Sequence, residues 1–337
     1  MSLAADAPIF VSAAAVSLGS SWLLVSRLER VGERLGLSEA LLGVLASLAG
    51  DCPEITSAVT AISHHQAKVG AGVVLGSCAF NLAALLGFAV VLTGRIRLHR
   101  RAVALTGSVS AWAALVALGS VTAGVTPQVG LAAAGAVLLG YLALLRGGPA
   151  TTGGRLRAVL PARASVWLRS AVAEEMEPHT AIRPVAGGAA DALVAAASLA
   201  VVVVASVVME QSATSAGARL GVSQIVVGTL VLGAVTGIPN AVASTYLARQ
   251  GRAAAALSTA LNSNNFNIVL GLLVPATIVG LGRVSGQSEL VAAWCLGLTV
   301  VGVLAAHRGG GLRRGAGWTF AASYAAFAVC VVAVGRA

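Results

Sequence analysis

Ten long apolar segments follow one another along this 337-residue chain, at roughly 7–26, 38–63, 69–93, 102–122, 127–146, 189–210, 223–248, 253–282, 288–306 and 318–335. Each approaches or exceeds the ~20 residues a helix needs to cross bilayer hydrocarbon. Polar and apolar residues do not alternate with period two, which excludes a membrane β-barrel. The pattern predicts an all-α membrane protein of ten transmembrane helices. The first segment has no basic stretch before it and no convincing cleavage site after it, so it reads as a retained helix and not a signal peptide.

The polar positions inside these segments repeat. Arg34-Leu35-Gly36-Leu37-Ser38 returns as Arg219-Leu220-Gly221-Val222-Ser223. Pro53-Glu54 returns as Pro239-Asn240, and Ser77-Cys78-Ala79-Phe80-Asn81 as Ser263-Asn264-Asn265-Phe266-Asn267. Two of these matches share an offset of 186 residues and the first is one residue short of it. A duplicated half with proline breaks and polar groups at membrane depth is the pattern of a secondary transporter built from repeats. Equivalent helices lie five spans apart, an odd number, so the second copy runs in the opposite sense. The expected domains are a first five-helix repeat at 1–146, a linker at 147–188 and a second five-helix repeat at 189–337, related by inversion. The motifs sit at 50–54 and 76–81 in the first and at 236–240 and 262–267 in the second.

Charge sets the sidedness. Loops after the odd-numbered spans hold 18 of the 22 Lys and Arg residues, and the opposite side holds only Lys68, Arg219, Arg283 and Arg336. By the positive-inside rule the linker is cytoplasmic and both termini are outside, in a multi-pass protein of the cell membrane. Within the linker, Arg155 to Val172 suits a basic amphipathic helix with Trp167 at the interface, or an irregular connection. The composition agrees: 57% hydrophobic, 10% charged, mean hydropathy +0.89. The net charge of +10 orients spans and does not form a basic stripe interleaved with aromatics, so no nucleic-acid partner is expected. The partners expected are inorganic cations and the lipid bilayer, with no obligatory protein partner evident. Cys52, Cys78, Cys295 and Cys330 all fall in spans without metal or disulfide spacing.

Of twelve acids, only Asp51 and Glu54 fall squarely mid-span; the rest, Glu175 and Glu210 among them, lie in loops or near span ends. A charge at that depth costs at least about 2.5–3.5 kcal/mol on insertion scales. Three-residue spacing puts both acids on one helix face. No basic residue lies mid-span to pair with them, and like carboxylates that close need a cation or a proton. Pro53 cannot bond the carbonyl of Ala49, nor Pro239 that of Val235, so each break frees a backbone oxygen. Ser77 and Asn81 share a face, as do Ser263 and Asn267; Thr236 and Asn240 add oxygens from the seventh span. These are hard donors, suited to Na⁺ or Ca²⁺ and poorly suited to Zn²⁺ or Cu⁺.

These residues resemble the cation/Ca²⁺ antiporter superfamily, the sodium/calcium exchangers and their relatives. That family carries a motif like G-[TS]-S-x-P-E followed by G-S-x-x-F-N in each of two inverted repeats. Here they read Gly50-Asp51-Cys52-Pro53-Glu54 with Gly76-Ser77-Cys78-Ala79-Phe80-Asn81, and Thr236-Gly237-Ile238-Pro239-Asn240 with Asn262-Ser263-Asn264-Asn265-Phe266-Asn267. The resemblance implies a sodium/calcium exchanger-like fold and a midplane cation site of Glu54, Asp51, Ser77, Asn81, Asn240, Ser263, Asn267 and Thr236. Two departures stand out. Asn240 replaces the second post-proline carboxylate, and Asp51 replaces a small hydroxyl residue.

The expectation is a secondary active antiporter, exchanging Ca²⁺ for Na⁺ or H⁺ by alternating access, with transported cations and no cofactor. An H⁺-coupled monovalent cation (Na⁺/K⁺) antiporter of the same fold is the alternative. An intramembrane enzyme is disfavoured, because His64, His65, His99, His179 and His307 all lie in loops or at span ends and no Ser/Lys dyad sits mid-span.

Overall fold

Two kinds of helix build the molecule: long uninterrupted ones outside and broken ones within. The computed structural model describes residues 3–37, 39–155, 160–176, 186–241, 253–281 and 286–335. Ser38, Glu177, His179, Arg283 and Arg336 therefore lie outside the described residues.

Among the described residues six helices are long and apolar enough to cross a membrane. They belong to α1 (Leu3–Arg34), α6 (Arg100–Val121), α7 (Pro127–Arg155, kinked at Gly148), α9 (Ala189–Arg219), α14 (Gly286–Gly309) and α15 (Arg314–Gly335). Trp22, Leu193, Ile278 and Val329 are more than two-thirds exposed on the periphery. An apolar solvent removes the usual penalty for such a surface, because lipid tails are as apolar as leucine.

The other four expected spans are interrupted. Glu39–Gly50 (α2) and Cys52–Ser63 (α3) meet at Asp51, where Pro53 denies the helix an N–H. Ala67–Phe80 (α4) passes through a π-helical turn, Asn81–Leu85, into Leu86–Thr93 (α5). Gln224–Val226 (α10) passes through a second, Val227–Leu232, into Gly233–Thr236 (α11). Ala253–Phe266 (α12) passes through a third, Asn267–Leu273, into Val274–Val279 (α13). A π turn widens the helix by one residue and is common where function needs a reoriented side chain. Two of the three begin on the motif asparagines Asn81 and Asn267.

Close packing of the inner helices rests on missing side chains. A Cβ at Gly76 would lie 2.6 Å from Thr229 Cα, and one at Gly228 would lie 2.3 Å from the Val69 carbonyl oxygen. Backbone therefore meets backbone between α4 and the 227–232 turn, as small residues permit in membrane helices.

α1 and α9 lie side by side, each beginning where the other ends. Asp6, at the start of α1, accepts from Arg219, the last residue of α9, at 2.9 Å. Asp191, in the first turn of α9, accepts from Arg27 at 2.8 Å and Arg30 at 3.2 Å near the end of α1. Ser17 and Ser206 bond at 2.8 Å between them. Asp6 and Asp191 are equivalent positions, 185 residues apart like Arg34 and Arg219, a correspondence that motif reading missed.

Among the described residues the arginine-rich loops after the first, third, fifth and ninth spans meet one another. Arg95–Arg97 (β1) pairs antiparallel with Gly311–Arg313 (β2). Gly187 N–H donates to the Arg30 carbonyl at 2.7 Å. The linker forms a helix, α8 (Ala162–Glu175), shifted from the expected 155–172 because Pro161 starts it; residues 156–159 lie outside the described residues. Trp167 on it is 41% exposed. Glu174 accepts from the N–H groups of Arg101 and Ala102, capping α6.

Candidate cation site

The helix break at Asp51 and the start of the 267–273 π turn bring both motif regions to one buried network. Asp51, Glu54, Ser77, Asn81, Thr236, Ser263 and Asn267 are 0% exposed and Asn240 is 3% exposed. All eight residues singled out from the sequence are thus inside the molecule.

Seven of them are joined by side-chain hydrogen bonds, most of which cross between the two halves. Asp51 Oδ1 accepts from Asn240 Nδ2 at 2.7 Å and from the Ser263 hydroxyl at 2.5 Å. Asn240 Nδ2 also approaches Ser263 Oγ, at 3.2 Å. Asn81 Nδ2 donates to Ser263 Oγ at 3.0 Å. Glu54 Oε2 accepts from Asn267 Nδ2 at 2.9 Å. That same amide lies 3.4 Å from Ser77 Oγ. The two bonds Asn81–Ser263 and Asn267–Ser77 are the same contact made once by each half.

The two serines differ otherwise. Ser263 donates to a carboxylate, whereas Ser77 turns its proton back to the Val74 carbonyl at 2.9 Å. Thr236 likewise back-bonds to Leu232 O at 2.8 Å. Both hydroxyls keep a lone pair free to accept. The carbonyls freed by proline are partly re-used. Ala49 O accepts from Ser21 Oγ at 3.4 Å, and Val235 O accepts from Gly237 N–H.

Four acceptor oxygens in this network have no partner: Asp51 Oδ2, Glu54 Oε1, Asn81 Oδ1 and Asn267 Oδ1. Each is buried, and each owner is held by a bond to its other polar atom. Buried orphan oxygens cost about 1–3 kcal/mol apiece, more when charged. Neither carboxylate has a cationic side-chain partner among the described residues. The chemistry of the set, two carboxylates and two amide carbonyls with hydroxyls nearby, is that of an oxygen cage for a hard cation.

Sequence reasoning missed the asparagines between the motif ends. Asn264 accepts from Asn81 at 3.2 Å and donates to Cys78 O at 3.3 Å. Cys78 Sγ in turn lies 3.9 Å from Asn264 O. Positions 78 and 264 are equivalents in the repeat, so they pair with each other. Asn265 is buried with both polar side-chain atoms unpartnered. The run of four asparagines in 262–267 was the available signal.

A sequence profile of the family described as "Sodium/calcium exchanger protein" matches residues 7–146 and 191–333. The chain belongs to that family. The sodium/calcium exchanger family is one of transporters and not of enzymes, and its members are multi-pass membrane proteins. Human sodium/potassium/calcium exchanger 4 is 38% identical over 74 residues, which is 22% of this chain and 12% of that protein. Rat sodium/potassium/calcium exchanger 3 is 37% identical over 70 residues, 21% of this chain and 11% of that protein. The chain therefore spans about a tenth of the length of these curated relatives. Among solved structures, the H⁺/Ca²⁺ exchanger CAX superposes with a TM-score of 0.69 over 98% of this chain and 86% of its own, at 11% identity. Native YfkE gives 0.64 over 97% and 91%, at 14% identity. The sodium-calcium exchanger NCX_Mj gives 0.57 over 96% and 97%, at 16% identity. At these identities the likeness shows a shared fold.

Proposed function

We propose that this exchanger-family protein is a secondary active cation antiporter that moves Ca²⁺ against Na⁺ or H⁺ by alternating access. The observation that carries the reading is the four unpartnered oxygens of Asp51, Glu54, Asn81 and Asn267, contributed by both halves and buried together without a cationic side chain. Two carboxylates match the charge of one divalent ion, and the amide and hydroxyl oxygens of Asn81, Asn267, Ser77 and Thr236 complete a hard coordination shell, with Ser263 joining it on releasing the amide of Asn81 or Asn240. Asn240 works differently from a ligand acid. Its amide donates to Asp51 and so orients the carboxylate that stands in for the missing one.

The proposed architecture is ten crossings in two inverted five-helix repeats, 1–146 and 189–337. Six uninterrupted helices and four interrupted segments support the count. Inversion is supported by the α1–α9 clasp and by the mutual contact of Cys78 with Asn264, since equivalents that meet each other lie beside a two-fold axis. The linker is proposed as cytoplasmic and both termini as external, from the 18 to 4 cation bias.

A second reading, an H⁺-coupled monovalent cation antiporter, is favoured by one observation. Asn240 leaves the second half without a carboxylate in the site network, so a single protonation of Asp51 or Glu54 would give a site of net charge −1. Reconstituted protein decides between them. Uptake of Ca²⁺, Na⁺ or K⁺ into proteoliposomes is measured with Na⁺ and H⁺ gradients imposed independently. Ca²⁺ accumulation driven by either gradient is expected. Movement of monovalent ions alone would establish the second reading, and uptake indifferent to any gradient would sink both.

A further inference from the structure

The site network does not account for every buried acid. Glu210 lies nine residues inside α9 and is 1% exposed, not at a span end as its sequence position suggested. Its Oε1 accepts from Thr214 Oγ1 at 3.0 Å, while its Oε2 has no partner. Asp6 and Asp191, at the two ends of the α1–α9 pair, are neutralised: Asp6 by Arg219, and Asp191 by Arg27 and Arg30. Among the described residues Glu210 has no such ion pair.

Its position connects the central site to the face opposite the linker. Glu210 is about 13 Å below Arg219 along the helix rise. α9 packs on α3, in which Glu54 lies ten residues, about 15 Å of helix rise, before the C-cap His64, which is exposed at that same face. Ser57, one turn beyond Glu54 and on the same face of α3 as His64, is fully buried with its hydroxyl unpartnered. Glu54 and Ser57 on α3 and Glu210 on α9 are thus buried polar groups on two helices that pack against each other.

We propose that Glu210, with the Thr214 hydroxyl, is a staging site for an inorganic cation on the route between the face opposite the linker and Glu54. The inference rests on the antiport reading. A buried, unneutralised carboxylate raises the local cation concentration before the central site and lowers the barrier for an ion shedding water. Ser57 offers the next neutral oxygen on the way. The linker-side route contains no part of this pair, so the effect is one-sided.

The test is exchange in right-side-out and everted membrane vesicles, with the Ca²⁺ concentration varied on one face at a time. Glu210→Gln keeps the acceptor for Thr214 and removes the charge. It is expected to raise the half-saturating Ca²⁺ on the face opposite the linker by about three- to tenfold, leaving the linker-face value unchanged. Glu210→Asp, which keeps the charge, is expected to stay near wild type. Ser57→Ala, which removes only a spare hydroxyl, gives an independent reading and should raise the same face's value about twofold. Equal shifts at both faces, no shift at either, or equal effects of the Gln and Asp variants would overturn the proposal. If Glu210→Gln does not fold, an unchanged Ser57→Ala overturns it. Wild-type vesicles that exchange no cation would instead refute the antiport reading itself.

Discussion

Exchanging Asp51 and Asn240 across their hydrogen bond probes the most unusual feature of the site. Asn240→Asp alone replaces an N–H donor 2.7 Å from Asp51 Oδ1 with a second carboxylate. Two unit charges at that distance repel by about 6 kcal/mol at an effective dielectric of ~20. A proton or a divalent ion relieves the repulsion. The purified single variant is therefore expected to melt several degrees below wild type without divalent ions, and to gain more from added Ca²⁺ than wild type does. Asp51→Asn alone removes the charged acceptor shared by Asn240 and Ser263, weakening bonds worth about 1.5–3 kcal/mol each when charged. It leaves one carboxylate, so Ca²⁺ exchange should fall severely. The double swap reverses donor and acceptor, restores the charge count and should recover part of both stability and exchange. Thermal melts with and without Ca²⁺, beside Ca²⁺ flux in proteoliposomes, read out all four proteins. An Asn240→Asp variant as stable as wild type in chelator, with a double variant no better than Asp51→Asn, would refute the compensation.

Gly76→Ala places a methyl 2.6 Å from Thr229 Cα, so α4 must move off the 227–232 turn; a loss of about 1–3 kcal/mol is expected, seen as a lower melting temperature in detergent. Glu175, at the end of the linker helix, accepts from Ser258, from Thr106 at 3.2 Å and from Tyr141 at 3.4 Å, and burial pushes its carboxyl above its ordinary value of 4.5. A carboxyl raised in the docked state favours docking while protonated, so docking of α8 should be strongest below about pH 4.5 and weaken as pH rises through the raised value. Hydrogen-exchange protection of residues 162–175, taken relative to the intrinsic rate at each pH, should accordingly be greater at about pH 5 than at about pH 8, and Glu175→Gln should flatten that difference. Ala173→Cys on the same helix should label from outside only after permeabilisation; ready labelling of intact cells would reverse the proposed orientation.

The two acids, the post-proline break and the doubled Ser-x-x-x-Asn were legible because each violates the surrounding apolar pattern, and insertion energetics leaves few harmless reasons for that. Where the chain breaks was less legible. Proline marks the interruption at Asp51, and Pro275 stands just beyond the turn that begins at Asn267, but the π turn at Asn81 has no proline beside it to announce it. Glu210 and Glu175 were misplaced for a related reason. The sequence reading ended the first span of the second repeat at 210, whereas α9 runs on to Arg219, because Ser212, Thr214 and Ser215 satisfy themselves within the helix or on neighbouring carboxylates and do not end it. Glu175 looked like a loop acid until the linker folded back onto Tyr141 and Ser258. The clasp of α1 and α9 was only half legible: the Arg34/Arg219 match was found, but its companion Asp6/Asp191 stands alone near a helix start, and the partners of Asp191 are Arg27 and Arg30 and not Arg34.

Coupled flux in the Glu54→Gln variant bears most directly on the central claim. Glu54 is fully buried, its Oε2 is held by Asn267, its Oε1 is unpartnered, and an amide of the same shape preserves the fold while deleting the charge. Wild-type proteoliposomes should accumulate Ca²⁺ against its gradient when a Na⁺ or H⁺ gradient is imposed, and Glu54→Gln proteoliposomes with equal protein content should not. Near-normal gradient-driven exchange by Glu54→Gln would contradict the assignment of this network as the transport site.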